Sequence, residues 1–148
     1  MGIDTIRPRP FSDSSPDHAD SFETYAPRRS VNDPFCILVW KFRVPERFAE
    51  AFAALCEESS RRLHDQPKAL FQRVTRRGNE LRVHVGLEDS FGVLTHVVEF
   101  SQTLKLMRTM GRYNGVEVHG PGIELDLLRE PLRRFRPLFI EQDGNVLV

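Results

Sequence analysis

Only two cysteines occur in the sequence, Cys36 and Cys56. That is too few for a disulfide framework. One falls in a predicted strand and the other on the apolar face of a predicted helix, so two reduced, buried thiols are expected. Net charge is absent as well: 21 Lys and Arg balance 21 Asp and Glu. No global field therefore draws the chain to nucleic acid or to an anionic membrane. The pairs Arg61-Arg62, Arg76-Arg77 and Arg133-Arg134 have acidic residues nearby, and none extends into the single-sign stripe of a nucleic-acid binder. No apolar run approaches the roughly 18 residues of a membrane span, and the N-terminus shows no apolar signal core. No membrane contact and cytoplasmic residence are the expectations. His18, His64, His84, His96 and His119 include no short-spaced pair, so no metal site is expected. Gly120-Pro121-Gly122 is a turn, because its proline interrupts any run of amide donors to a phosphate. No Ser or Cys stands in a nucleophile motif.

What is present has the composition of an ordinary globular protein, 40% hydrophobic and 28% charged, in a length of 148 residues that suits one domain. Residues 1–33 differ from the rest. They hold prolines, serines and scattered charges without a periodic apolar face. Such a segment buries too little to offset its ordering entropy, and a mobile tail is predicted, followed by a folded domain over 34–148. Phe22 and Tyr25 are its candidates for docking on a neighbouring surface.

The folded part opens with Phe35–Val44, apolar on both faces as far as Trp40 and alternating beyond it, which predicts a strand covered on two sides. Pro45 suits the first position of a helix whose stripe is Phe48, Phe52, Leu55, Cys56, Ser59 and Leu63, stopped by Pro67. A hairpin of Ala69–Arg76 and Glu80–Leu87 turns at Arg77-Gly78-Asn79. Ser90 can cap a second helix, with Phe91, Leu94, Val97, Val98, Phe100, Leu104, Met107 and Met110 on its apolar face and a break near Ser101. A strand over Gly115–His119, a short helix opened by Pro121 and a strand over Pro137–Gln142 complete the order. The class is α+β: a ferredoxin-like βαββαβ unit with a C-terminal α-β extension. Such a sheet carries both helices on one face. The other face here includes Phe35, Ile37 and Val39, an apolar area that a second copy of the chain would cover, so a homodimer is expected.

In this order of elements, the stretch Leu87-Glu88-Asp89-Ser90…His96 and the run Val118-His119-Gly120-Pro121…Glu124-Leu125…Leu128-Arg129 resemble the dimeric α+β-barrel superfamily, specifically its antibiotic-biosynthesis-monooxygenase-like (ABM-like) branch. The resemblance covers residues 35–142. It implies a dimeric α+β barrel with a cavity between helices and sheet, holding a small apolar or aromatic molecule. It also implies cofactor-independent monooxygenase chemistry on phenolic substrates. Members that oxidise aromatics carry Glu and Trp on the third strand of the unit. The matching positions are Val85 and Leu87, so only His96 keeps a family residue.

On that basis His96 is the candidate catalytic base, or an axial haem ligand as in haem-degrading relatives, or a helix histidine bonded to backbone or water. Trp40, Tyr113, Val85 and Leu87 are the candidate substrate-binding residues. His84 and His119 are further candidates, His84 pointing to the dimer face beside Arg82 and His119 at a strand end. The alternative readings are a non-catalytic ligand-binding or interaction module, and a cyclase, isomerase or haem-handling member of the same fold.

Overall fold

The computed structural model describes residues 20–25 and 35–142. Six strands form one sheet: β1 Asp20–Tyr25, β2 Cys36–Arg43, β3 Ala69–Arg77, β4 Glu80–Leu87, β5 Arg112–Gly120 and β6 Pro137–Glu141. Their spatial order is β1-β3-β4-β2-β5-β6. The central four strands are antiparallel to one another and have the ferredoxin-like arrangement, with β2 between β4 and β5. β6 joins β5 in parallel. Helices α1 Ala49–His64 and α2 Ser90–Met110 supply the two crossovers, and α3 Gly122–Leu128 leads into β6.

Alternation along β2 divides the molecule. Cys36, Leu38, Trp40 and Phe42 enter the core with Leu81, Val83, Val85 and Leu87 of β4 and Val116 and Val118 of β5. Phe52, Cys56 and Leu63 of α1 and Val93, Phe100, Leu104 and Met107 of α2 close that core from above. Both cysteines are free and buried, as expected. Burial pushes the Cys36 thiol up to about 12, with Glu124 and Asp89 adding to the effect, and raises that of Cys56 too, so neither is a thiolate at neutral pH.

The opposite face of the sheet carries Phe35, Ile37, Val39, Phe71 and, on β6, Leu138 and Ile140. Phe71 meets Phe35 edge-on at 6.2 Å. It also lies over Gly86, where an added Cβ would come within 2.3 Å of the ring. Glycine at 86 is what lets that ring lie flat on the strand. Leu138 is 56% exposed in the single chain.

Several local readings change. Asp20–Tyr25, within the segment assigned to the tail, pairs with β3 as an edge strand, so that segment is not structureless throughout. The rest of 1–33 lies outside the described residues, as does Val146-Leu147-Val148. Pro45 is not the first helical residue but precedes a 3-10 turn over Glu46–Phe48, one place early. α2 has no break at Ser101 and runs for 21 residues. Phe91 and Val98, assigned to its apolar face, are 67% and 71% exposed, because the true buried arc is Val93, His96, Val97, Phe100, Leu104 and Met107. The cap of α2 is Asp89 rather than Ser90: its Oδ1 accepts from the Gly92 N–H at 2.9 Å and Lys68 lies 2.9 Å from its other oxygen. Glu124 of α3 adds a second carboxylate there, accepting from the Ser90 N–H at 2.8 Å.

Burial opposes ionisation of Asp89, but the Gly92 N–H and Lys68 outweigh it and hold the carboxyl below its usual range. The contribution is thus present above the unfolded pKa of about 3.9 and lost as pH falls through the folded value. Asp89→Ala should lower the melting temperature by about 4 °C at neutral pH, the effect of losing a cap of about 1 kcal/mol. The gap from wild type should close as pH falls below the ordinary carboxylate range. Thermal melts across pH check both.

Candidate functional site

Trp40 comes from the centre of the sheet and His96 from the middle of α2, and the core brings them together. The Trp40 indole Nε1–H donates to His96 Nε2 at 3.3 Å. Both side chains are almost fully enclosed, at 1% and 2% exposed. Phe100, one turn after His96, stacks on the imidazole at 5.1 Å and also meets Trp40 at 5.0 Å. Tyr113 and Phe135 complete the aromatic shell, 6.3 and 5.7 Å from Trp40. His96 is therefore not a partly exposed helix histidine but one half of a buried side-chain pair.

This pairing settles the protonation of His96. An indole N–H can only donate, so Nε2 must offer its lone pair and the ring proton sits on Nδ1. Burial alone drives the imidazole pKa down to about 3, and the ring is neutral at physiological pH. A proton added to Nε2 would also break the bond to Trp40. His96 is thus shaped as a neutral hydrogen-bond donor through Nδ1, not as a proton acceptor at Nε2.

Tyr113 is fixed in a different way. Its hydroxyl donates to the Phe135 carbonyl at 2.6 Å, and its own carbonyl accepts from Arg136 at 3.0 Å. Burial pushes the phenol up to about 12 against the pull of Arg136 and Arg108, whose guanidiniums lie over its ring. Arg136 adopts φ 56, and Gly115, at φ 102, makes the bulge that brings β5 under it. Tyr113 is a buried core residue that ties the C-terminal extension to the sheet. Val85 and Leu87 are fully buried on the helix side of β4 and contribute apolar surface there.

His84 and His119 stand apart, on the opposite face of the sheet. His84 Nε2 is 3.4 Å from Thr75 Oγ1, and burial, then Arg73 and Arg82, push its pKa down to about 4. His119 lies 3.0 Å from Glu117 and 3.2 Å from Gln142, and Lys41 pairs with Glu117 at 3.3 Å. These residues form a polar row beside Ile37 and Val39. They do not join His96.

Two openings lie near α2. A cleft of about 80 Å³, lined almost wholly by carbon, is framed by Gln66, Pro67, Lys68, Phe91, Gly92 and Thr95. A smaller cavity of about 10 Å³ between α1 and α2 reaches His96 and Phe100, with Ser59 and Thr103 in its wall and Arg62 and Glu99 at the side. Gln66 lines both. It went unnoticed in the sequence because it sits in the turn between α1 and β3, outside any periodic pattern. Among the described residues no group of three or more His, Cys, Asp or Glu could hold a metal ion. The residues do not fit a haem either. Nε2 is engaged by Trp40, Nδ1 carries the proton, and the cavity at the imidazole has room for about one water rather than a macrocycle.

No protein-family model matches the chain, and no curated protein matches it. Solved structures do. MupZ from Pseudomonas fluorescens is 28% identical with a TM-score of 0.71, the match covering 78% of this chain and 91% of that one. A candidate monooxygenase from Lactobacillus acidophilus NCFM is 16% identical with a TM-score of 0.52, over 68% of this chain and 48% of that one. Another, from Fusobacterium nucleatum, is 14% identical with a TM-score of 0.52 and the same coverage. Matches as distant as the last two speak to fold alone, and the matched region spans about half of their length.

The neutrality of His96 has a consequence for stability. His96 and His84 both take up a proton less readily folded than unfolded. Their contributions are full above the unfolded pKa of about 6.5 and are lost as pH falls toward the folded values. Wild-type stability to urea should therefore decline from about pH 6.5 to 5, where most carboxylates are still ionised. His96→Phe should show roughly half that slope, His84 supplying the rest; an unchanged slope would contradict a buried neutral His96. In fold the chain is similar to MupZ, with the same mixed α+β arrangement over most of both chains.

Proposed function

We propose that the chain is a homodimeric domain that binds a small, apolar, aromatic molecule beside α2, with His96 as a neutral polar anchor. The observation that carries this reading is the Trp40–His96 pair. An imidazole enclosed in an aromatic core, with one nitrogen left unbonded, costs stability that an apolar side chain would not. Such a breach of the packing rule is expected at a functional site. The carbon-lined cleft at Pro67 and Phe91 shares Gln66 with the cavity at His96, and its 80 Å³ is small beside the roughly 300–1,000 Å³ of drug and cofactor pockets. A single-ring ligand suits it best.

Oxygenation of a phenol is the second reading, and the likeness of fold keeps it in view. It requires a base to form the phenolate. His96, with Nε2 engaged and a pKa of about 3, is poorly equipped for that role. The geometry favours binding over base catalysis through this residue.

The proposed homodimer would form through the other face of the sheet. Phe35 and Val39 are already buried in the single chain, while Ile37 and Phe71 are half-buried and Leu138 is exposed, beside the Lys41, Glu117 and His119 row. Covering what Ile37, Phe71 and Leu138 leave open would favour association in proportion to the apolar area removed from water, at about 25 cal/mol per Å². Sedimentation equilibrium should give a dimer at micromolar concentration, and Ile37→Glu should give monomer or aggregate. A wild-type monomer would contradict the assembly. Trp40 is the single tryptophan, so its fluorescence reports on the site. Titration with single-ring aromatics should change it saturably; no saturable response to any of them would contradict the binding reading.

A further inference from the structure

Among the described residues, two buried side-chain atoms lack a hydrogen-bond partner: Nδ1 of His96 and Oε1 of Gln66. Their side chains come from different elements, and the residues are 2% and 8% exposed. Both line the same 10 Å³ cavity between α1 and α2. Unpartnered polar atoms at this depth are rare, and two on residues that line one small cavity call for a common explanation.

The two atoms have opposite chemistry. With Nε2 accepting from Trp40, His96 presents an N–H at Nδ1. Gln66 presents a carbonyl oxygen. A group that satisfies both must accept one hydrogen bond and donate one, and a hydroxyl does so with a single atom. An ether, a ketone or a carboxylate would answer the imidazole and leave the Gln66 oxygen bare. An ammonium would answer Gln66 and face the His96 N–H with no acceptor. Water has the same dual character, and a cavity of this size has room for about one.

We propose that His96 and Gln66 form a hydroxyl-selective anchor, filled by one water in the free protein and by the hydroxyl of an alcohol or phenol when a ligand is bound. Gln66 lines both this cavity and the carbon-lined cleft at Phe91, and in the proposal a ring lodged in the cleft directs its hydroxyl past Gln66 toward Nδ1. Gln66 is then the specificity-determining residue. The ligand half of the proposal rests on the binding reading above, whereas the water half does not.

Two measurements on the full chain test it separately. In the free protein, the Nδ1 proton of His96 should show direct cross-relaxation to a long-lived water by NMR. Absence of that signal, with the proton itself observed, would overturn the anchor. Phenol and anisole, which differ in whether the oxygen can donate, should then be titrated against Trp40 fluorescence. Phenol should bind at least about tenfold more tightly, the effect of leaving one buried acceptor unanswered. Gln66→Leu should bring the two affinities together, and a preference for phenol that survives it would contradict the role of Gln66. Equal binding of phenol and anisole by the wild type, a comparison that needs no variant to fold, would overturn hydroxyl selectivity. If neither compound binds, the ligand reading fails, and the water signal alone upholds or refutes the site.

Discussion

The hydrogen bond from the Trp40 indole to His96 Nε2 is the contact on which the functional account depends. It joins the central strand to the long helix across an otherwise apolar core, and it takes up the only lone pair of the neutral imidazole. The ring proton is thereby placed on Nδ1, a donor on a residue that lines the space between α1 and α2, while burial keeps the imidazole neutral. Phe100, Tyr113 and Phe135 enclose the pair and keep water from competing for it.

The same sheet serves two purposes because strand side chains alternate. On β2, Leu38, Trp40 and Phe42 face the helices, while Ile37, Val39 and Lys41 face the other way. The helix side holds a dry aromatic core with one imidazole in it. The far side mixes an apolar strip with the Lys41, Glu117 and His119 row, a pattern suited to contact with another sheet. His84 and His96 both lose basicity through burial, yet on opposite faces and with different neighbours. Only His96 lies among the aromatics of the core.

The order of elements was legible in the sequence because it depends on strong local signals: the two-sided apolar run at Phe35–Trp40, the Arg77-Gly78-Asn79 turn, and prolines 45 and 121 at helix starts. His96 and Trp40 were also singled out, though their contact was not. A bond between residues 56 apart in sequence leaves no periodic trace, and an imidazole on an amphipathic helix reads equally as buried or exposed. Phe91 and Val98 were misread for the opposite reason, since apolar residues adjoining the buried arc of α2 look like part of it. Gln66 was missed altogether. Its role comes from where the chain turns between α1 and β3, and nothing in a Gln-Pro step announces a buried acceptor.

The central claim is that His96 is a neutral donor fixed by Trp40. The most direct test is the nitrogen-15 NMR spectrum of the His96 ring, followed from about pH 8 to pH 5, a range that spans the ordinary histidine pKa. The account predicts a proton on Nδ1, a bare hydrogen-bonded Nε2, and no titration within that range. A proton on Nε2, or a ring that titrates near 6.5, would contradict it.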